Sequence, residues 1–546
     1  MSNLICGNLV DVFSRRIFPA EVEIRDERIR RITKIRGNMK SFILPGLIDS
    51  HIHIESSMLS PAGFSALAVR HGTVAVVSDP HEIANVAGVK GINYMIRSGD
   101  SVPLKFYFGA PSCVPATDIE ESGAVLDSKQ IAELLKRDDL YFLSEIMNFP
   151  GVINSSKSVL DKIKIAHKLG KPVDGHAPGL RGHDLDKYIN AGITTDHECI
   201  NLDEAEEKIS KGMKIQIREG SAAKGFDLFY KLIDKYPDFV MLCSDDKHPD
   251  DLIKGHINEL LARGVRNNID VFNLIRAATV NPAFHYKLPV GLLREGDPAD
   301  MIVVDNIEDF RVKETYINGN KIYDEGKILY KSKPVKFNYR FQTKIIQNTD
   351  IKISNEGGKI RVIEANDGQL FTGSLIVKPK VEGRTVVADP ARDICKIVVV
   401  NKYKTSKPSI GFITGFGLKK GAIAGSVAHD NHNIIAVGVD DDDLVKSINK
   451  VIEMQGGLAV TSGKITKKLQ LEIAGLMSNM DGEEVALRYL ELDNYAKNLG
   501  SSLSAPFMTL SFMSLLVIPE LKICNNGLFD VNQFKITSLF TDSDSA

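Results

Sequence analysis

The chain is 546 residues long, more than one ordinary core accommodates, so two or three domains are expected. Its formal charge is -2, with Lys and Arg (68) interspersed among Asp and Glu (70), which leaves no basic face for nucleic acid or an anionic membrane and suits a small neutral substrate. The six cysteines lack a Cys-x-x-Cys pair, which argues against a disulfide framework or thiolate zinc site; a reducing cytoplasm fits, and Asp11 and Arg15 break any N-terminal secretion signal.

From residue 3 to about 36 the chain reads as short alternating strands that bury one face and need a partner sheet. The partner is expected after residue 291, where Asp300-Met-Ile-Val-Val-Asp and Val312-Lys-Glu-Thr-Tyr-Ile repeat the pattern around an Asn-Gly turn. Residues 1–40 and 291–335 are therefore assigned to a composite β-sandwich flanking a central domain.

That domain, residues 41–290, contains eight short apolar runs: Phe42-Ile-Leu, Val74-Ala-Val-Val, Lys105-Phe-Tyr-Phe, Leu140-Tyr-Phe-Leu, Pro172-Val, Ile193-Thr-Thr, Lys214-Ile-Gln-Ile and Phe239-Val-Met-Leu. Helix-like segments separate them, which predicts an α/β fold, a (β/α)8 barrel with its chemistry at the C-terminal strand ends. The residues after each run support this: His51 and His53, then Asp79, His81 and Glu82, then Ser112, Glu145, His176, His197, Glu219, and Asp245 with Asp246. An isolated His-x-His is more often a solvent-facing pair. Here His51 and His53 project to one side of an extended segment, and His176 and His197 recur at other strand ends, so these four are read as metal ligands. Imidazole and carboxylate donors without thiolate suit zinc, manganese or iron(II). His71, His167, His183, His248, His256 and His285 fall elsewhere and are read as ordinary helix or loop residues.

A connector, Lys331-Ser-Lys-Pro-Val-Lys, leads to a separate C-terminal α+β domain, residues 341–546. Its glycine-rich segments lack the Gly-Lys-Ser/Thr ending of a phosphate loop. The uncharged stretch around Phe507–Ile518 is broken by Pro506 and Pro519 and reads as buried core rather than a membrane span. His429-Asp430-Asn431-His432 reads first as a capped turn, with a loop over the barrel mouth as the alternative.

The phrases Pro45-Gly-Leu-Ile-Asp-Ser-His-Ile-His-Ile-Glu-Ser-Ser-Met, Ser78-Asp-Pro-His-Glu-Ile, Glu145-Ile-Met-Asn-Phe-Pro-Gly-Val and Asp174-Gly-His-Ala-Pro-Gly-Leu resemble the bacterial and archaeal adenine deaminase family of the amidohydrolase superfamily. The likeness continues through Cys243-Ser-Asp-Asp and Gly425-Ser-Val-Ala-His-Asp-Asn-His. Gln470 and Glu472 stand where the family more often has prolines, a departure confined to the C-terminal domain. The resemblance implies hydrolysis of adenine to hypoxanthine and ammonia by a metal-activated hydroxide. It implies two divalent ions, manganese expected and iron(II) or zinc as alternatives, held by His51, His53, His176, His197 and Asp245 with Glu145 between them. Asp245 is the expected proton shuttle; the reversed assignment, with Asp246 as ligand and Asp245 as cap, stays open. Glu55, His81, Glu82, Glu219 and Ser112 are candidates for contacts to the purine or, among the ionisable groups, a further metal, with salt bridges and caps as the competing roles. A cyclic amidohydrolase of the dihydropyrimidinase or dihydroorotase type and an inactive metal-binding scaffold are the alternative functions. A homo-oligomer, dimer or higher, is expected.

Overall fold

The computed structural model describes residues 3–117 and 119–541. Strands β1 (Asn3–Asp11), β2 (Arg16–Arg25) and β3 (Arg28–Lys34) form an antiparallel meander. Alternation gives it one buried face: Ala20, Val22 and Ile24 of β2 are buried, while Glu21 and Glu23 between them are not. Strand β4 (Phe42–Pro45) pairs in parallel with β1. This corrects the expectation that Phe42-Ile-Leu opens the barrel. The chain leaves the flanking sheet at Gly46, where a Cβ would lie 2.3 Å from the Val74 side chain, so the crossing requires glycine.

The barrel begins at β5 (Leu47–Ile52) and continues through β6 (Thr73–Ser78), β7 (Lys105–Ala110), β8 (Leu140–Ile146), β9 (Val173–Gly175), β10 (Thr195–Asp196), β11 (Lys214–Arg218) and β12 (Val240–Cys243). Every pairing within β5–β9 and within β10–β12 is parallel. The two arcs meet where Thr194 N donates to the Val173 carbonyl at 3.0 Å and where Asp245 N donates to the His51 carbonyl at 3.0 Å. Strands β6 and β12 are buried along their whole length, as expected of parallel strands covered by helices outside and packed side chains inside. The last four strands of this half, β13 (Met301–Val304), β14 (Val312–Ile317), β15 (Asn320–Asp324) and β16 (Lys327–Ile328), return to β4 and complete one eight-stranded sheet drawn from both flanks of the barrel.

The connector packs against the barrel, with Phe337 facing Tyr94 at a centroid distance of 5.1 Å. Beyond it, a nine-stranded mixed sheet has Cys395–Val400 and Ile434–Gly438 near its centre, with helix Asp441–Glu453 packed on it. Helix Gly482–Asn498 faces the barrel, where Tyr489 and His248 hydrogen-bond at 2.8 Å. Residues 507–516 are buried in short helical turns, and among the described residues no helix is long and apolar enough to cross a membrane.

One buried ion cluster aligns two of the strand ends that carry histidines. Lys208, on helix Leu202–Ser210, is fully buried and donates to the Ala177 carbonyl at 2.7 Å, to Glu204 at 2.5 Å and to Asp196 of β10. Asp196 in turn accepts from Ala177 N at 3.2 Å. Lys208→Met strands two carboxylates without their partner, so it is expected to lower stability by about 3–5 kcal/mol, read as a shift of the urea midpoint; an unchanged midpoint would remove the cluster from this role.

Candidate active site

Six side chains converge at the barrel mouth from five strand ends, His51 and His53 sharing that of β5. His53 Nδ1 faces the Asp79 carbonyl at 3.1 Å; a carbonyl only accepts, so Nδ1 carries the proton and Nε2 presents a lone pair. That lone pair faces His51 Nε2 at 3.2 Å, Asp245 Oδ1 at 3.2 Å and Glu145 Oε1 at 3.3 Å. The other oxygen of Glu145 faces His176 Nδ1 at 2.8 Å and His197 Nε2 at 3.3 Å. Glu145 thus stands between a His51, His53 and Asp245 group and a His176 and His197 group, and all six side chains are buried.

Acceptor atoms packed this closely in a water-poor cavity repel one another unless positive charge lies among them. Within the protein itself the relief is a proton. Burial would lower the His53 pKa, but hydrogen bonds to Asp245 and Glu145 lift it well above the usual histidine range. Glu145 responds in kind: burial would raise it, yet His176, His197 and His53 hold it well below the carboxylate range. His51 is pushed down to about 4 by burial and by His197. Divalent cations supply the same charge and engage several of these atoms at once. The sets His51, His53 and Asp245, and His51, Glu145 and His197, each present donor atoms within 4.8 Å of one another, so the residues fit such ions.

The backbone around the cluster is built to hold it. Asp245 has a positive φ of 54°, a costly conformation that carries its carboxylate to the histidines. Asp246 points elsewhere, accepting from Ser56 Oγ, although it lines the same cavity. Gly175 precedes His176 where a Cβ would lie 2.3 Å from the Thr195 carbonyl, so the approach of β9 to β10 admits only glycine.

Of the further candidates, His81 and Glu82 line the cavity, with His81 Nδ1 held by Asp79 Oδ2 at 3.0 Å. The structure does not bring the other three into it. Glu55 accepts from Ile83 N at 3.1 Å, and burial pushes its pKa up to about 7. Glu219 is consumed by Phe226 N at 3.0 Å and by Arg263. Ser112 Oγ donates to the Glu145 carbonyl at 2.5 Å, supporting the strand end from behind. Proximity to a strand end does not by itself decide which way a side chain turns.

Two further contributors stand outside the expected site residues. Arg218 pairs with Asp245 Oδ2 at 2.7 Å and with Glu198, leaving Oδ1 to the histidines; its place at the end of β11 was the available signal. The second is the C-terminal loop, whose place over the mouth the sequence offered only as the alternative to a capped turn. His429 and His432 both bond Glu82, so the segment expected first as a capped turn closes over the mouth. His432 Nδ1 accepts from Ala428 N at 3.2 Å, so its Nε2 bears the proton and donates to Glu82. This contact is therefore a hydrogen-bonded lock between domains, because a metal-binding imidazole would present a lone pair at Nε2. Burial opposes the lock, yet Glu82 is held well below the carboxylate range by His429 and His432, and His429 is lifted to about 9, against burial, by Glu82.

A parallel barrel with histidine and carboxylate donors gathered at its C-terminal mouth defines a hydrolase of the metal-dependent kind, and residues 42–322 match the amidohydrolase family. Residues 369–535 match the adenine deaminase C-terminal domain. The chain is 53% identical to adenine deaminase of Methanosarcina mazei over 98% of this chain and 99% of that protein. It is 50% identical to adenine deaminase of Salinibacter ruber, over 98% and 99% respectively. It belongs to the adenine deaminase family within the amidohydrolases. Among solved structures, β-aspartyl dipeptidase of Fervidobacterium islandicum is similar at 18% identity, covering 62% of this chain and 100% of that chain with a TM-score of 0.47.

The bridge can be tested without catalysis. Glu145→Gln keeps the size but removes the charge between the two histidine groups, so metal bound per chain is expected to fall, measured by atomic emission on protein reconstituted with manganese. Wild-type metal content in this variant would count against Glu145 as a shared ligand.

Proposed function

We propose that the protein hydrolyses adenine to hypoxanthine and ammonia. The observation that carries the reading is the six-residue cluster at the barrel mouth, in a chain whose near-full-length relatives bear the name adenine deaminase. His51, His53, His176, His197 and Asp245 would hold a pair of divalent ions with Glu145 between them. Bound there, such ions lower the pKa of water toward about 7 and so supply hydroxide at neutral pH. Manganese is our assignment, with iron(II) and zinc, which take the same nitrogen and oxygen donors, as the alternatives.

The remaining chemistry belongs to side chains. Oxygen from water bonds to the purine carbon that bears the amino group, and the bond from that carbon to nitrogen breaks. Asp245 takes one water proton from the attacking side and delivers it to the departing nitrogen, while the other ends on the ring nitrogen beside the new carbonyl, so adenine and water become hypoxanthine and ammonia. Arg218, on the other oxygen of Asp245, keeps that carboxylate charged and aimed. His81 lines the same cavity and is the proposed partner of a ring nitrogen. The cyclic-amide and inactive-scaffold alternatives draw no support from relatives that share one name along the whole chain. The six cysteines are all free, which supports a cytoplasmic setting.

Asp245→Asn separates proton transfer from metal holding. It is expected to retain much of the metal and bind hypoxanthine, yet lose on the order of 10² to 10⁴ in kcat, the scale of general acid-base catalysis. Asp246→Asn should be milder. Rapid kinetics, metal content and product binding on both variants decide the matter: a severe loss confined to Asp246→Asn reverses the roles.

A further inference from the structure

Part of the cavity lining is neither histidine nor carboxylate. Leu370, Phe512 and Leu515, all from the C-terminal domain, contribute an apolar surface beside His429 and Asp430. Phe512 stacks on the His429 ring, with centroids 4.5 Å apart and planes inclined by 15°. A flat aromatic face of this kind suits a planar heterocycle. Leu370 and Phe512 come from distant parts of the sequence, and what spans them is one side chain. Lys522 Nζ donates to the Leu370 carbonyl at 2.8 Å and to the Phe512 carbonyl at 3.2 Å.

Lys522 is fully buried, and among the described residues no carboxylate pairs with it. Burying an ammonium group without a counter-charge is costly, and a structural lysine normally has one. Lys396 in the same domain shows the contrast: it reaches the Ile351 carbonyl at 3.1 Å and also pairs with Asp441 at 2.5 Å. Strand Leu521–Cys524, which carries Lys522, is further joined to the Leu370 segment by Thr372, whose Oγ1 donates to the Leu521 carbonyl at 2.9 Å.

We propose that Lys522 is a positioning residue of the substrate pocket: by joining the carbonyls of Leu370 and Phe512 it sets the apolar wall against which the purine ring lies. The proposal rests on the adenine reading above. Burial, which pushes the Lys522 ammonium down to about 7, agrees with a site where both bonds go to neutral carbonyls.

The test uses the full-length, manganese-reconstituted protein. Lys522→Met keeps the length and removes the donors, so the KM for adenine is expected to rise at least about tenfold while kcat stays within about threefold and metal content is unchanged. Hypoxanthine affinity should fall in parallel. Lys522→Arg, which keeps donors at this position, should recover part of the loss. Lys396→Met, a buried lysine that lines no part of the cavity, should keep the wild-type KM. A wild-type KM in Lys522→Met, or an equal rise in Lys396→Met, overturns the proposal. Should Lys522→Met fail to fold, hydrogen exchange on the wild-type protein decides: hypoxanthine is expected to protect residues 366–372 and 508–515, and unprotected segments overturn the wall. Inactivity of the wild-type protein on adenine would instead overturn the adenine reading, so the two failures are distinct.

Discussion

Glu145 is a buried carboxylate with a histidine group on either side, and the mouth of the barrel is organised around that charge. One oxygen faces His53 and the other faces His176 and His197, so the side chain leaves its strand at one orientation only. The supports are polar and specific. Ser112 holds the Glu145 carbonyl, and the Tyr188 hydroxyl bonds to the Ile146 carbonyl at 2.8 Å while accepting from His176 N at 3.0 Å. In a low-dielectric interior each unmet polar group is expensive, so a network of this kind selects one arrangement of strand ends over its neighbours.

The same electrostatic reasoning explains why the C-terminal domain is part of the site. Glu82 leaves the barrel next to the donor cluster, where another unpaired negative charge would be unfavourable. His429 and His432 neutralise it from the other domain, and Asn431 bonds Glu120 at 2.9 Å along the same seam. The seam thereby seats Phe512 and Leu515 against the cavity. Closing the mouth also removes water, which strengthens each charge interaction within it.

Not every buried histidine near the barrel belongs to this chemistry. His256 bonds Asp49 at 2.9 Å and Thr73 at 2.6 Å through its two ring nitrogens, and His248 Nδ1 bonds Tyr489; both lie outside the cavity lining. Asp49 in turn accepts from Ser244 N at 3.1 Å, tying β5 to the segment that presents Asp245. These are the interior braces of a closed barrel.

Local pattern was enough to read the barrel, because parallel strands buried on both faces appear as short apolar runs and each must end at the same rim. It was also enough to find the histidines, whose spacing after those runs is a one-dimensional signal, and to read the long literal phrases that resemble one family. Sequence did not determine which strand a run joined: Phe42–Pro45 is apolar like its successors, and only pairing with β1 and β13 assigns it to the flanking sheet. Nor did it distinguish Asp245 from Asp246, since one backbone rotation at a positive φ decides which carboxylate meets the histidines. The seating of His429 and His432 on Glu82, and of Lys522 between Leu370 and Phe512, depends on contacts between residues far apart in the chain. Such contacts leave no periodicity to read, and only the tertiary structure decided them.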